Sequence, residues 1–91
     1  MFYFYILRSL KDGHLYYGST PDLKKRLKQH QKGSVRSTSH RRPLELAYYE
    51  AYLDLSLARE REQVIKRSGT ARSSLQKRIL SRKMDSTTAG Q

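Results

Sequence analysis

The sequence of 91 residues contains no cysteine, which excludes a disulfide framework and a metal site built from thiolates. It has no apolar run near the ~20 residues that a membrane-spanning helix requires. The apolar start FYFYIL is short and follows no basic segment, so it does not resemble a signal peptide. We therefore expect a protein of the reducing cytoplasm without a membrane partner.

Acidic residues are scarce, with 8 Asp and Glu against 19 Lys and Arg, a net charge of +11. Residues 23–44 and 63–84 contain many cations and no acid. One such stretch is compatible with an ordinary solvated helix surface, but two favour a polyanion partner, which we expect to be nucleic acid and DNA rather than RNA. The cations expected to contact nucleic acid are Lys24, Lys25, Lys28, Lys32, Arg36, Arg41, Arg42, Lys66 and Arg67. We expect a monomer or a weak dimer.

Turn residues and hydrophobic patterns predict the order β-β-α-β-α-α. The fold class is α+β, a small three-stranded antiparallel sheet with helices packed on it. We predict strands at residues 2–9, 14–19 and 44–52, and helices at residues 21–32, 55–67 and 70–82. Residues 1–83 would form one domain, and residues 84–91 a disordered tail.

Cap residues mark the predicted helix boundaries. Thr20 is the expected N-cap of the first helix, with Pro21 at its first position, and Gly33 is the expected stop. Thr70 is the expected cap of the last helix.

The first helix carries two basic side chains on the stripe that is expected to face the sheet. Arg26 and His30 extend the apolar positions Leu23 and Leu27 by the helical period. Arg26 is alternatively a side chain that reaches out to solvent from the helix edge, and His30 a satisfied imidazole at the edge of the core.

The second helix carries a carboxylate on its inward stripe. Glu62 follows Ala58 by four residues and precedes Ile65 by three, whereas Glu60 lies roughly 160° away around the helix. An inward carboxylate requires a partner or a metal ion. A salt bridge from Glu62 to Arg26 is the structural alternative.

Tyrosine is unusually frequent, with seven residues against two phenylalanines and no tryptophan. Tyr3 and Tyr5 share one face of the first strand, while Tyr16 and Tyr17 point to opposite faces of the second. A core does not need their hydroxyls. Hydroxyls together with an Arg, a His and a Glu can bind phosphate, hold a metal and transfer protons.

Over residues 2–79 these segments resemble the GIY-YIG endonucleases, in particular the small single-domain bacterial members and the N-terminal nuclease module of the excision-repair incision enzyme. The resemblance rests on FYI (4–6) in place of GIY, YYG (16–18) in place of YIG, the arginine helix DLKKRLKQH (22–30), RRPLELAYYE (41–50) and AREREQVIK (58–66). Phe4 and Tyr17 depart from the motif letters, and the sequence has no asparagine to match the one in the site of larger members. We also expect no second DNA-binding domain of the kind that larger members use.

By position, the resemblance implies a catalytic set of Tyr5, Tyr16, Arg26, His30 and Glu62, with Gly18 as the motif glycine. Glu62 would be the only metal-binding carboxylate, for Mg²⁺ or Mn²⁺, with Glu60 as the competing choice. Arg26 would clamp the phosphate. Tyr16 is the first choice for the general base, with Tyr5 or His30 as alternatives. A phenol base needs nearby positive charge, which Arg26, His30 and the metal would provide.

These implications predict a metal-dependent endonuclease of low sequence specificity, with a role in DNA repair. A non-catalytic nucleic-acid-binding module on the same fold is the alternative that the basic composition leaves open. A basic subunit of a larger assembly is a third interpretation, which rests on size alone.

Overall fold

The structure, a computed structural model, describes the backbone of residues 1–89 and the side chains of residues 1–79. The strands are β1 (Phe2–Ser9), β2 (Leu15–Thr20) and β3 (Leu44–Tyr52), and the helices are α1 (Leu23–Lys32), α2 (Leu55–Arg67) and α3 (Gly69–Ala89). The order β-β-α-β-α-α and the α+β class are therefore confirmed. No helix in the described part of the chain combines the length and the apolar character needed to cross a bilayer.

The three strands form an antiparallel sheet in the order β2-β1-β3. The central strand β1 pairs with β2 so that Tyr5 lies opposite Gly18 and Leu7 lies opposite Tyr16. The turn between these strands contains Gly13 with a φ of 77°, a conformation that glycine adopts at little cost. Because β2 comes first in the order β2-β1-β3, it pairs with β1 alone and is an edge strand.

Helices cover both faces of the sheet. Helix α1 packs on the face of Tyr5 and Leu7, whereas α2 and α3 pack on the face of Phe4 and Ile6. The two apolar clusters share no residue, because successive side chains of a strand point to opposite faces. A residue of α1 and a residue of α2 can therefore meet only around the edge of the sheet.

The first helix begins later than predicted. Asp22, rather than Thr20, is the N-cap, and its Oδ1 accepts a hydrogen bond of 3.0 Å from the backbone N–H of Lys25. Thr20 ends β2, and its hydroxyl accepts a hydrogen bond from the backbone N–H of Asp22 at 3.1 Å. Pro21 thus lies in the turn before the helix. The predicted stop at Gly33 is confirmed by its φ of 82°.

The third helix has a different cap from the one predicted. It begins at Gly69, and the Ser68 hydroxyl accepts a hydrogen bond of 3.1 Å from the backbone N–H of Ala71. Ser68 therefore takes the capping role that the sequence suggested for Thr70.

The third helix also ends later than predicted, at Ala89 rather than near Arg82. Residues 70–89 contain no glycine or proline, so no strong stop signal interrupts the helix. Residues 84–89, predicted as part of a disordered tail, are helical, and residues 90–91 lie outside the described part of the chain. The domain boundary at residue 83 stays a prediction.

Candidate active site

A cleft of about 430 Å³ opens at the edge of the sheet beside β2. Its lining brings together every residue of the predicted catalytic set and the motif glycine: Tyr5, Tyr16, Gly18, Arg26, His30 and Glu62. These residues come from four elements, two strands and the helices on opposite faces of the sheet. The edge strand β2 thus lies at the centre of the candidate site.

A buried chain of hydrogen bonds joins Tyr5, His30 and Thr38. The Tyr5 hydroxyl lies 3.1 Å from His30 Nε2, and the Thr38 hydroxyl lies 2.8 Å from His30 Nδ1. The exposed fractions of these three residues are only 3%, 4% and 1%. Thr38 also donates to the carbonyl of Val35, which leaves its oxygen to accept from His30 Nδ1–H. Nε2 is then the acceptor for the Tyr5 hydroxyl.

His30 is neutral at neutral pH. Burial, followed by the nearby charge of Arg26, lowers the pKa of His30 to about 4. It cannot supply the positive charge beside a phenol that the sequence had suggested, and Arg26 is left as the cation next to Tyr5. A neutral imidazole instead accepts a hydrogen bond from the Tyr5 hydroxyl through Nε2.

Arg26 is half-buried and points toward the same hydroxyl. Its Nε donates to the Tyr5 oxygen at 3.4 Å, and its Nη1 donates to Gln29 Oε1 at 3.0 Å. These contacts hold the planar guanidinium at the wall of the cleft. A fixed guanidinium presents paired donors that suit a phosphate.

Glu62 enters the cleft from α2, on the opposite face of the sheet from Arg26. Its Oε1 accepts from the Ser19 hydroxyl at 2.6 Å, its Oε2 accepts from Lys66 Nζ at 2.6 Å, and its side chain is 16% exposed. The alternative salt bridge to Arg26 is not among the ion pairs of residues 1–79. Glu60 is exposed and does not line the cleft. Glu62 is therefore the carboxylate that lines the cleft.

The cleft offers one carboxylate among its described residues, that of Glu62, which suits a metal site completed by water and substrate. The described residues contain no group of three or more His, Cys, Asp or Glu side chains that could hold an ion, so a cage made of protein ligands is absent there. Mg²⁺ is commonly held by one or two carboxylates, with water and substrate phosphate completing the shell. Glu62 is the residue of the cleft that would hold such an ion.

Gly18 lies directly against Tyr5. A Cβ placed on Gly18 would be 2.5 Å from the Tyr5 hydroxyl oxygen and 2.6 Å from Cζ. No side chain fits at this position unless the Tyr5 ring moves. The motif glycine therefore allows Tyr5 to reach the cleft beneath β2.

A second polar network fixes α2 to the sheet. Arg61 forms a bidentate pair with Glu50 at 3.0 and 3.2 Å, and Tyr48 and Tyr52 donate to the same carboxylate at 2.6 and 2.5 Å. Burial opposes the ionisation of Glu50, but these hydrogen bonds outweigh it and lower its pKa. The network therefore attaches α2 to strand β3 through Arg61 and Glu50.

The basic residues predicted to contact nucleic acid fall into two groups. The first group is exposed at the surface and consists of Lys24, Lys25, Lys28, Lys32, Arg36 and Arg67. The second group makes contacts within the fold and consists of Lys66, Arg41 and Arg42, of which Lys66 pairs with Glu62 at 2.6 Å. Arg41 pairs with Asp12 at 2.5 Å, and Arg42 donates to the backbone carbonyls of Ser39 and Gln31 at 2.8 and 3.4 Å.

Sequence reasoning missed Ser19 and Thr38. Both are small hydroxyl residues in segments rich in serine and threonine, and nothing in their spacing distinguishes them. Their roles depend on which carboxylate and which imidazole the fold brings to them.

The comparisons with known proteins agree with this geometry. The GIY-YIG catalytic domain matches residues 1–79. The chain is 44% identical over 61 residues to a UPF0213 protein of Bacillus pumilus, 42% over 65 residues to one of Staphylococcus saprophyticus, and 41% over 68 residues to one of Clostridium perfringens. These matches cover 66%, 70% and 74% of this chain.

The same matches cover 61%, 78% and 72% of the three relatives, so the first match spans less than two thirds of the Bacillus protein. No solved structure matches the chain significantly. The domain match over residues 1–79 and these relatives show that the chain belongs to the GIY-YIG family and carries its nuclease-type catalytic domain.

Proposed function

We propose that the protein is a divalent-metal-dependent endonuclease that hydrolyses phosphodiester bonds in nucleic acid, DNA rather than RNA. The observation that carries this proposal is the convergence of Tyr5, Tyr16, Arg26, His30 and Glu62 on one cleft. The cleft contains a phosphate-binding cation, proton-transfer groups and a single carboxylate, which are the groups that phosphodiester hydrolysis needs.

Arg26 is the proposed clamp on the scissile phosphate. In-line attack of water on phosphorus builds negative charge on the phosphoryl oxygens, and a guanidinium held in place stabilises that charge without reorganising. The hydrogen bonds of Arg26 to Tyr5 and Gln29 support this role, because they orient the side chain before substrate binds.

Tyr16 is the proposed general base. It is half-buried on the edge strand and therefore accessible to a water molecule in the cleft. The Tyr5 hydroxyl is already committed to His30 in a buried contact. We assign Tyr5 and His30 to a supporting pair that positions Arg26 through the Tyr5 hydroxyl.

Glu62 is the residue proposed to hold Mg²⁺ or Mn²⁺. A bound ion of this kind supplies positive charge that stabilises the anionic oxygens of the transition state. The Ser19 hydroxyl orients Glu62, and Lys66 holds the second carboxylate oxygen in the absence of an ion.

Low sequence specificity follows from the kind of side chain around the cleft. The exposed lysines of α1 and the basic residues of the following loop would contact backbone phosphates, which carry no direct sequence information. A role in DNA repair in the cytoplasm is part of the same proposal.

One observation favours a second candidate, a non-catalytic nucleic-acid-binding module. The carboxylate of Glu62 is already neutralised by Lys66 at 2.6 Å. If this ion pair persists when nucleic acid binds, the protein would bind a strand without cutting it.

The test is incubation of the protein with supercoiled plasmid and with a single-stranded oligonucleotide, in Mg²⁺, in Mn²⁺ and in EDTA. Wild type is compared with Glu62→Ala and with Glu60→Ala, a matched loss of one carboxylate two residues away on the exposed side of α2. We expect metal-dependent cleavage that Glu62→Ala abolishes and Glu60→Ala retains. Retained cleavage in Glu62→Ala would overturn the proposal. Binding without cleavage under every condition would support the second candidate.

A further inference from the structure

A second cavity, of about 450 Å³, lies on the other side of β2 from Arg26, between the β1–β2 hairpin and α3. Its wall includes Arg8, His14, Tyr17, Arg72, Gln76 and Ile79. It shares Leu15 and Tyr17 with the active-site cleft, so the two cavities adjoin at the edge strand. We call it the hairpin cavity.

The hairpin cavity combines apolar and cationic groups. The Tyr17 ring packs against the apolar cluster that contains Ile79, and its hydroxyl accepts a hydrogen bond of 3.0 Å from Gln76 Nε2. Arg72 is fixed at the wall, because its Nη1 donates to the carbonyl of Lys66 at 2.9 Å. No acidic residue is among the described residues that line the cavity.

These groups match the parts of a nucleotide. Proteins bind an unpaired base by stacking it on an aromatic side chain and by hydrogen bonds to its edges, and arginine binds its phosphate. The volume lies in the range of about 300–1,000 Å³ that is typical of small-ligand sites. A phosphate alone would leave the apolar part of the wall without a partner.

The position of the cavity connects it to the active site. Tyr16 and Tyr17 are neighbours on β2 and point to opposite faces of the sheet, so a nucleic-acid strand that bends around this edge would contact both. We infer that the hairpin cavity is a subsite for the nucleotide adjacent to the scissile phosphate, and that this nucleotide is unpaired. The inference rests on the proposed nuclease function. It narrows the substrate class to single strands, ends, flaps or other structures with an unpaired base.

Binding is tested without cleavage by NMR titration of the full chain, labelled with ¹⁵N, against three probes in separate experiments. The probes are inorganic phosphate, thymidine and thymidine 5′-monophosphate. We expect saturable shifts of the amide signals of His14, Tyr17 and Gln76 with the monophosphate, and weaker effects with either half alone. Equal shifts with phosphate alone, or no shift at these positions, would overturn the inference.

Two variants locate the binding. Arg72→Gln removes a charged hydrogen-bond donor and should raise the Kd of the monophosphate about tenfold or more. Gln76→Ala removes the donor to the Tyr17 hydroxyl at the same cavity and keeps the test valid if Arg72→Gln does not fold. Arg59→Gln is the matched control, because Arg59 is exposed on α2 and lines neither cavity. An equal loss of affinity in Arg59→Gln would contradict a local site.

Cleavage supplies the second readout. Arg72→Gln and Gln76→Ala should raise KM for a single-stranded oligonucleotide and leave kcat unchanged. Monophosphate binding at the cavity in a protein that never cleaves would overturn the nuclease proposal and retain the subsite. Cleavage of fully paired duplex as efficiently as single strands, with no effect of either variant, would overturn the subsite and retain the nuclease.

Discussion

The Nε2 atom of His30 lies 3.1 Å from the hydroxyl oxygen of Tyr5, in a contact that is closed to solvent on both sides. The Thr38 hydroxyl, at 2.8 Å from Nδ1, determines which nitrogen of His30 carries the proton. Thr38 lies in the loop between α1 and β3. Through the His30 imidazole it thus controls the hydrogen bond of Tyr5 on β1. This relation makes Thr38 accessible to a direct test.

Replacing Thr38 with valine should leave the His30 Nδ1–H without a partner. An unsatisfied buried donor costs about 1–3 kcal/mol, so the free energy of unfolding should fall by that amount. The proposed cleavage rate at saturating substrate should fall as well, since the imidazole loses its fixed tautomer. Chemical unfolding and kcat measure the two effects. Thr38→Ser keeps a hydroxyl and should restore both, and a valine variant with wild-type values would refute the assignment.

The low pKa of His30 predicts a pH dependence of stability. Its folded-state pKa of about 4 is below the ordinary value of 6.5, so between these pH values the unfolded chain binds a proton that the folded chain does not. The free energy of unfolding should therefore decrease as the pH falls from 6.5 toward 4. Urea unfolding at several pH values measures this slope. His30→Gln should reduce the slope, whereas His40→Gln, at an exposed position, should not.

A methyl group at Gly18 should disturb Tyr5. Because the added Cβ would lie 2.5 Å from the hydroxyl oxygen, Gly18→Ala should lower the free energy of unfolding by about 1–3 kcal/mol and reduce cleavage. Gly69→Ala is the control, since its Cβ meets nothing closer than Arg72 Nη2 at 3.9 Å. Thermal unfolding compares the two variants. Equal stability of both would mean that Tyr5 moves aside without cost.

Replacing Arg26 with lysine should separate charge from geometry. The charge remains, but the fork of donors is lost, so kcat should fall by roughly 10²–10³ if Arg26 stabilises the transition state. Affinity for nucleic acid should change little. Steady-state cleavage and a binding titration give the two numbers, with Arg59→Lys as the same substitution at an exposed site. If the affinity for nucleic acid fell as much as the cleavage rate, Arg26 would contribute to ground-state binding alone.

Salt dependence should distinguish the two groups of basic residues. Lys28 is exposed on α1, and its replacement by alanine should reduce the slope of log K against log salt by roughly 0.9 if it contacts one duplex phosphate. Arg41→Ala should have a smaller effect on the slope, because Asp12 already neutralises Arg41. Fluorescence anisotropy at several salt concentrations measures both slopes. A larger effect at Arg41 would show that nucleic acid displaces Asp12.

Most of the fold could be predicted from the sequence. The bounds of β1, β3 and α2 agree with the predicted ranges, because each segment has a consistent hydrophobic pattern between turn residues. The start of α1 was wrong because Thr20 and Asp22 are both good caps, and only the geometry shows that the Asp22 carboxylate reaches Lys25. The placement of α1 and α2 on opposite faces of the sheet depends on connections that local patterns do not encode.

The candidate site was predicted in part. Helical periodicity placed Arg26, His30 and Glu62 on inward stripes, and all three line the cleft. Periodicity could not reveal that His30 is neutral, because its pKa follows from burial and from the charge of Arg26 in the folded state. It also could not reveal that Lys66, one helical turn after Glu62, forms an ion pair with the Glu62 carboxylate.

The edge position of β2 has a consequence for how copies of this protein behave toward one another. An unpaired strand edge is a template for association with another chain, and many proteins protect it by covering or pairing it. Here such protection would close the cleft, so the chain must keep this edge accessible. The net charge of +11 opposes the approach of a second copy, and nucleic acid neutralises that charge when it binds. Under the proposed function, the same lysines and arginines would keep the protein soluble and bind its substrate.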